Sequence, residues 1–134
     1  MKLYKNFNIS KNHKQSIILI GNFDGIHLGH QKLFKLANSY KKKFKLNIGV
    51  VTFEPMPKMY FNTKIKNFRL SNIGQKNKIL NNLGVDFMII KKFDKNFSTI
   101  KANLFIRDIL SKKLQAQYIF VSNNFRFGNK REGD

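Results

Sequence analysis

Apolar positions fall into two kinds of run that alternate along the chain. Residues 16–20 (SIILI), 46–53 (LNIGVVTF), 85–90 (VDFMII) and 118–121 (YIFV) are short and nearly unbroken, the pattern of strands covered on both faces. Between them, apolar residues recur at helical steps. Over 31–44 they are Leu33, Phe34, Leu36, Ala37, Tyr40 and Phe44; over 71–83 they are Ile73, Ile79, Leu80 and Leu83. Over 99–114 they are Ala102, Phe105, Ile106, Ile109, Leu110 and Leu114. Ser71 suits the cap of the second helix and Gly84 its stop. Pro55 and Pro57 end the second strand. Residues 1–15 read as a short strand or a flexible lead-in, and 58–70 as an excursion over the sheet with no clear period. Four strands alternating with helices predict one α/β domain over residues 1–134, a Rossmann-like parallel sheet with helices on both faces.

In such sheets ligands sit at the carboxyl ends of the strands. Every chemically unusual segment follows a strand: 21–30, 53–57, 91–94 and 122–134. The strongest of them reads Gly21, Asn22, Phe23, Asp24, Gly25, Ile26, His27, Leu28, Gly29, His30. A strand ends, glycines let the backbone bend tightly or admit a ligand, and a helix begins near Gly29. His27 and His30, three apart, can share one face of the first helical turn. The free N–H groups and positive dipole end of that turn lie beside them. Two donor rings above a helix N-terminus suit phosphate oxygens and charge developing on a phosphoryl group. No Gly-Lys-Ser/Thr closes a P-loop, and the full dinucleotide glycine pattern is absent. A zinc site lacks a third ligand, since His13 is the only other histidine, so no metal ligation is expected.

Composition narrows the setting. The 134 residues contain no cysteine, which removes disulfides, thiolate metal sites and cysteine nucleophiles. No run reaches the ~20 apolar residues that span a bilayer, and nothing resembles a secretory signal, so a cytoplasmic location is expected and no membrane partner. Lys and Arg number 26 against 7 Asp and Glu, for a net charge of +19. Such a field attracts polyanions. Yet 22 of those charges are Lys, scattered over every segment beside 17 Asn and 15 Ile. That points to compositional bias rather than a nucleic-acid stripe.

The segment 21–30 matches the HxGH nucleotidyltransferase signature. In its longer form, GNFDGxHxGH, it resembles the N-terminal adenylyltransferase domain of the bacterial bifunctional riboflavin kinase/FAD synthetase family. Other stretches follow in order. Thr52, Phe53, Glu54, Pro55, Met56 and Pro57 are similar to the family's TFEPHP, and Arg69, Leu70 and Ser71 to its RLT element. Gly84, Val85 and Asp86 with Phe93 and Asp94 resemble its GVD…FD pair, and Phe105 and Ile106 its EFV helix. The run from Val121 to Gly128, with Gly133 and Asp134, resembles its G-x-D/N-F-x-F-G…GD loop.

The resemblance implies transfer of AMP from ATP to FMN, giving FAD and pyrophosphate with Mg²⁺ as cofactor. It gives His27 and His30 the catalytic contacts to the ATP phosphates. Gly21, Asn22, Phe23, Asp24, Gly25 and Gly29 shape the binding loop, and Asn124 and Arg126 are candidates to hold substrate phosphate. Phe53, Phe125 and Phe127 are candidates for the flavin pocket, with core packing as the competing role of each. Asp86 and Asp94 read as turn or capping residues with no catalytic role. Three positions depart from the pattern: Met56 replaces a histidine, Ser122 a glycine and Asn103 a glutamate. Neither the family's ISSTxIR-like phosphate motif nor its riboflavin kinase domain occurs, so the domain is expected to be incomplete at its C-terminus, without kinase activity. The alternative is a non-catalytic remnant that binds nucleotide or a polyanion.

Overall fold

The computed structural model describes residues 1–21, 23, 28–54, 73–92 and 104–122. Five strands form one sheet: β1 (Lys2–Tyr4), β2 (Ile17–Ile20), β3 (Ile48–Glu54), β4 (Phe87–Lys92) and β5 (Tyr118–Val121). All pair in parallel, in the order β1-β4-β3-β2-β5. Helix α1 (Leu28–Phe44) joins β2 to β3, and α2 (Ile73–Asn82) precedes β4. A third helix, Phe105–Lys113, precedes β5 and is wound as a π helix.

Alternation along each strand sorts the core into two layers. Ile17, Leu19, Ile48, Val50 and Met88 face Phe34 and Ala37 of α1 and Leu80 of α2. Ile18, Ile20, Val51, Phe53, Phe87 and Ile89 face Phe105, Ile109, Leu110 and Leu114, with Phe7 and Ile9 of the lead-in beside them. Each of these large side chains, taken from water to full burial, contributes about 1.5–3 kcal/mol. The parallel sheet, with helices on both faces, is the architecture the hydrophobic pattern predicts.

The structure decides the lead-in in favour of a short strand and corrects the sequence reading on the helix faces. The lead-in supplies a fifth strand: β1 pairs with β4 in the register Lys2↔Phe87 and Tyr4↔Ile89. Three residues, two of them exposed, are too few to carry an alternation. The inward faces of the helices are also narrower than read. Leu36, Ile79 and Ile106 are 45%, 43% and 50% exposed. In the last helix the winding explains this. Phe105, Ile109, Leu110 and Leu114 meet the sheet at steps of four and five, and the Leu114 N–H donates to the Ile109 carbonyl at 2.9 Å. That five-residue step turns Ile106 outward. Finally, Ser71, residues 58–70, Ala102, Asn103 and Asp94 lie outside the described residues.

A polar latch secures the amino ends of the strands. Asp86 Oδ2 accepts from the Ile48 N–H and from Lys41 Nζ, both at 2.9 Å. Lys41 Nζ also donates to the Gly84 carbonyl at 2.9 Å, and Asn38 Nδ2 to the Leu83 carbonyl at 2.8 Å. Gly84 has φ +90°, where a side chain would be strained. Asp86 is thus a structural residue, as its place in a turn suggests. His13 is occupied at the same end: its Nδ1 lies 2.7 Å from the Tyr4 hydroxyl, and its ring stacks on Phe87 at 4.5 Å.

Candidate functional site

From β2 the chain runs outward through β3 to β4, then returns to place β5 on the other flank of β2. The direction of strand succession therefore reverses between β2 and β5. A crevice opens outside the carboxyl ends at such a switch point, where open α/β sheets bind ligands.

Gly21 and Ser122 stand side by side there, just past the ends of β2 and β5. The Gly21 N–H donates to the Val51 carbonyl at 3.1 Å, and the Ser122 N–H to the Ile20 carbonyl at 2.9 Å. A Cβ on Gly21 would collide with Ser122 Oγ and approach Ser122 Cβ and Phe23 Cζ at 2.9 Å. No side chain fits there, which gives the first glycine of the segment a steric reason.

Phe23 follows with φ +52°, a left-handed conformation that a bulky residue adopts only under tertiary constraint. The constraint is visible. Its side chain is 2% exposed, edge-on to Phe34 at 5.3 Å and to His30 at 5.1 Å. His30 is the third residue of α1, half-buried, with its Nδ1 shielded from solvent. Phe23 thus clamps the imidazole in the first turn of the helix. That turn contains no acidic residue, so its positive dipole end meets no neutralising carboxylate of its own. A helix N-terminus beside an imidazole suits an anion.

The structure brings Gly21, Phe23 and His30 together, with Gly29 in the same first turn. Phe53, at the carboxyl end of β3, is fully buried, with its ring 6.4 Å from that of Phe105. Asn22, Asp24, Gly25, His27, Met56, Asn124, Phe125, Arg126 and Phe127 lie outside the described residues. Two features were not legible in the sequence. Nothing in the run Asn22, Phe23, Asp24 marks a left-handed phenylalanine. Ser122 stood out only as a departure from a motif, whereas the structure places it directly against Gly21. Among the described residues, no three or more His, Cys, Asp or Glu side chains come together to hold a metal ion.

Residues 9–134 match the family described as FAD synthetase. The chain is 41% identical, over its full length, to the bifunctional riboflavin kinase/FMN adenylyltransferase of Buchnera aphidicola subsp. Schizaphis graminum, and covers 43% of that protein. It is 38% identical to the protein of the same description from Escherichia coli K12, over 100% of this chain and 44% of that one. The chain thus spans less than half the length of these relatives. A solved structure described as a macrolide-efflux protein from Streptococcus pneumoniae superposes with a TM-score of 0.75 at 27% identity, covering 98% of this chain and 43% of that one. Among the described residues no helix is long and apolar enough to cross a membrane.

Proposed function

The chain belongs to the FAD synthetase family, and from that membership and the crevice between β2 and β5 we propose that it transfers AMP from ATP to FMN. A phosphate oxygen of FMN attacks the α-phosphorus of ATP, the new P–O bond forms, and pyrophosphate leaves, giving FAD. This chemistry depends on aligned substrates and stabilised phosphoryl charge more than on a protein nucleophile.

The observation that carries the reading is His30 in the first turn of α1, held edge-on against Phe23, whose ring also borders Gly21 at the switch point. In this reading His30 and His27 donate to the ATP phosphates, and the α1 N–H groups share the same charge. Gly21, Gly25 and Gly29 let the backbone approach the polyphosphate, while Asn22 and Asp24 hold the loop in shape. Asn124 and Arg126 contact substrate phosphate, Phe125 and Phe127 line the flavin ring, and Phe53 supports that wall from the core. ATP enters as its Mg²⁺ complex, so the metal arrives with the substrate. The full-length relatives join this activity to a riboflavin kinase by description. We place the reaction in the cytoplasm, with small nucleotides rather than nucleic acid as its partners.

The test is FAD formation by the purified chain from FMN, ATP and Mg²⁺, beside a His27→Ala/His30→Ala double variant. FAD from the unsubstituted chain is expected, falling at least about 100-fold in the variant, as for loss of transition-state donors. No FAD from a chain shown by calorimetry to be folded overturns autonomous catalysis. Specific ATP binding without FAD would then mark a nucleotide-binding remnant.

A further inference from the structure

Helical spacing marks Phe34 as a core position of α1, and its burial agrees: it is 1% exposed, in one cluster with Ile17, Leu19, Ile48 and Val50. Its neighbours give it a second role. Phe34 stands one turn beyond His30, so the two share a face of the helix. Side chains on a helix lean toward its N-terminus, which carries the Phe34 ring back over the turn that holds His30. Phe23, from the segment between β2 and α1, is T-shaped to both rings. Its centroid lies 5.1 Å from that of His30 at 68°, and 5.3 Å from that of Phe34 at 60°. The three rings thus form a row in which Phe23 joins the buried core to the half-buried imidazole. Phe23 is also the member that its own backbone does least to hold, because a bulky residue adopts φ +52° only where its surroundings impose it. Gly21 makes room for the ring, since a Cβ there would stand 2.9 Å from Phe23 Cζ. Phe34 supplies the support, from a helix that Ala37, wholly buried, seats on the sheet.

We propose that Phe34 is a positioning residue of the site: through the ring of Phe23 it fixes the orientation of the His30 imidazole for the reaction. The ring geometry stands on the contacts alone, whereas its catalytic consequence rests on the adenylyl-transfer reading. An aliphatic residue at 34 fills much of the same space but offers Phe23 no aromatic face or edge to pack against. Phe23 then loses the contact that opposes its left-handed strain, and the imidazole loses a wall of fixed position. Phe34 itself acts only through its neighbour and touches no reacting atom in this reading.

The test compares Phe34→Leu with Phe87→Leu in the whole chain. Phe87 is as deeply buried but lies at the amino end of β4, where its ring stacks on His13 at 4.5 Å. Histidine ring resonances are followed by NMR, assigned with His13→Gln and His30→Gln, and FAD formation gives kcat and the KM for ATP. Phe34→Leu is expected to shift the His30 resonances and leave those of His13 in place, and Phe87→Leu to do the reverse. Phe34→Leu is also expected to lower kcat about tenfold, with a smaller change in KM, as for a misplaced catalytic group. His30 resonances that stay in place in a folded Phe34→Leu chain overturn the proposal and leave Phe34 to the core. Equal movement of His30 in the Phe87→Leu chain overturns it too, because the effect is then one of weakened packing in general. So does an unchanged kcat in Phe34→Leu. If leucine at 34 prevents folding, Phe34→Met takes its place. In the unsubstituted chain, nuclear Overhauser effects from the Phe23 ring to both His30 and Phe34 are expected, and their absence overturns the proposal whatever the variants do. An unsubstituted chain that makes no FAD removes the adenylyl-transfer reading alone, since the resonances and Overhauser effects still decide how His30 is held.

Discussion

At the scale of single residues, the site is held by one phenylalanine in a conformation its own backbone resists. Phe23 supplies packing against Phe34 and a wall for His30, and both benefits oppose the penalty of its positive φ. The two contributions separate on substitution. Phe23→Ala should lose about 3–5 kcal/mol of stability, the usual result of emptying a buried aromatic site. Phe23→Gly leaves a similar void but relieves the left-handed strain, so it should be more stable than the alanine variant by about 1 kcal/mol. Urea denaturation of the pair checks this, and an alanine variant at least as stable as the glycine one would mean that φ carries no strain. The placement of Gly21 at a strand end and of His30 in a helical first turn was legible in the sequence. The phenylalanine between them was not. Its role comes from tertiary contacts with residues of α1, and a hydrophobic residue in a polar loop carries no mark of its φ.

At the scale of elements, β2 to β5, α1, α2 and the helix Phe105–Lys113 follow from periodicity alone, because each has an apolar face long enough to show its period. For β1 the sequence left a short strand and a flexible lead-in both open, because a three-residue strand gains its stability from its neighbour, through Lys2 N–H to the Asp86 carbonyl at 3.2 Å and the pairing with β4. The π winding escaped for a related reason: apolar positions at 105, 109, 110 and 114 fit a slightly wide α-helix as well as a π one. What fastens the elements together is more polar than the pattern suggests. Asp86 joins β3, the turn before β4 and α1 through one carboxylate oxygen. The Asp86→Ala variant should lose about 1–3 kcal/mol, since the Ile48 N–H and the ammonium of Lys41 both lose their acceptor. Asp86→Asn keeps an acceptor for the N–H and should fall between alanine and the native chain. Equal denaturation midpoints for all three would show that the latch contributes nothing.

At the scale of the whole molecule, a net charge of +19 on 134 residues works against compaction. Among the described residues the ion pairs are few, and only that of Lys41 with Asp86 has both side chains as little as 31% exposed. The Arg107–Asp108 contact is exposed, and the guanidinium bonded to Asp108 holds that carboxyl below its ordinary range without relieving the excess of positive charge elsewhere. Self-repulsion of this kind is screened within about 10 Å at 0.1 M salt. The melting temperature should therefore rise as KCl is raised from about 0.05 to 0.5 M, and rise further with a polyanion at low salt. A melting temperature indifferent to KCl would show that the lysines are too dispersed to strain the fold. The same dispersal is why charge, so prominent in composition, says less about function than ten residues at the end of one strand.

The position of β2 also governs when the crevice can exist. One wall is complete once β3 has paired, but the other waits for β5, whose partners in β2 lie roughly a hundred residues earlier in the chain. A ribosome releasing this polypeptide from its amino end exposes Gly21 and His30 long before Ser122 emerges. During that interval the central strand has an open flank, made of Ile17 to Ile20 and free to meet other chains. The β5 side of the switch point is therefore built after every other strand of the described sheet. Whatever the first helix and its neighbours gather there, they gather around a centre that is already folded on its other flank.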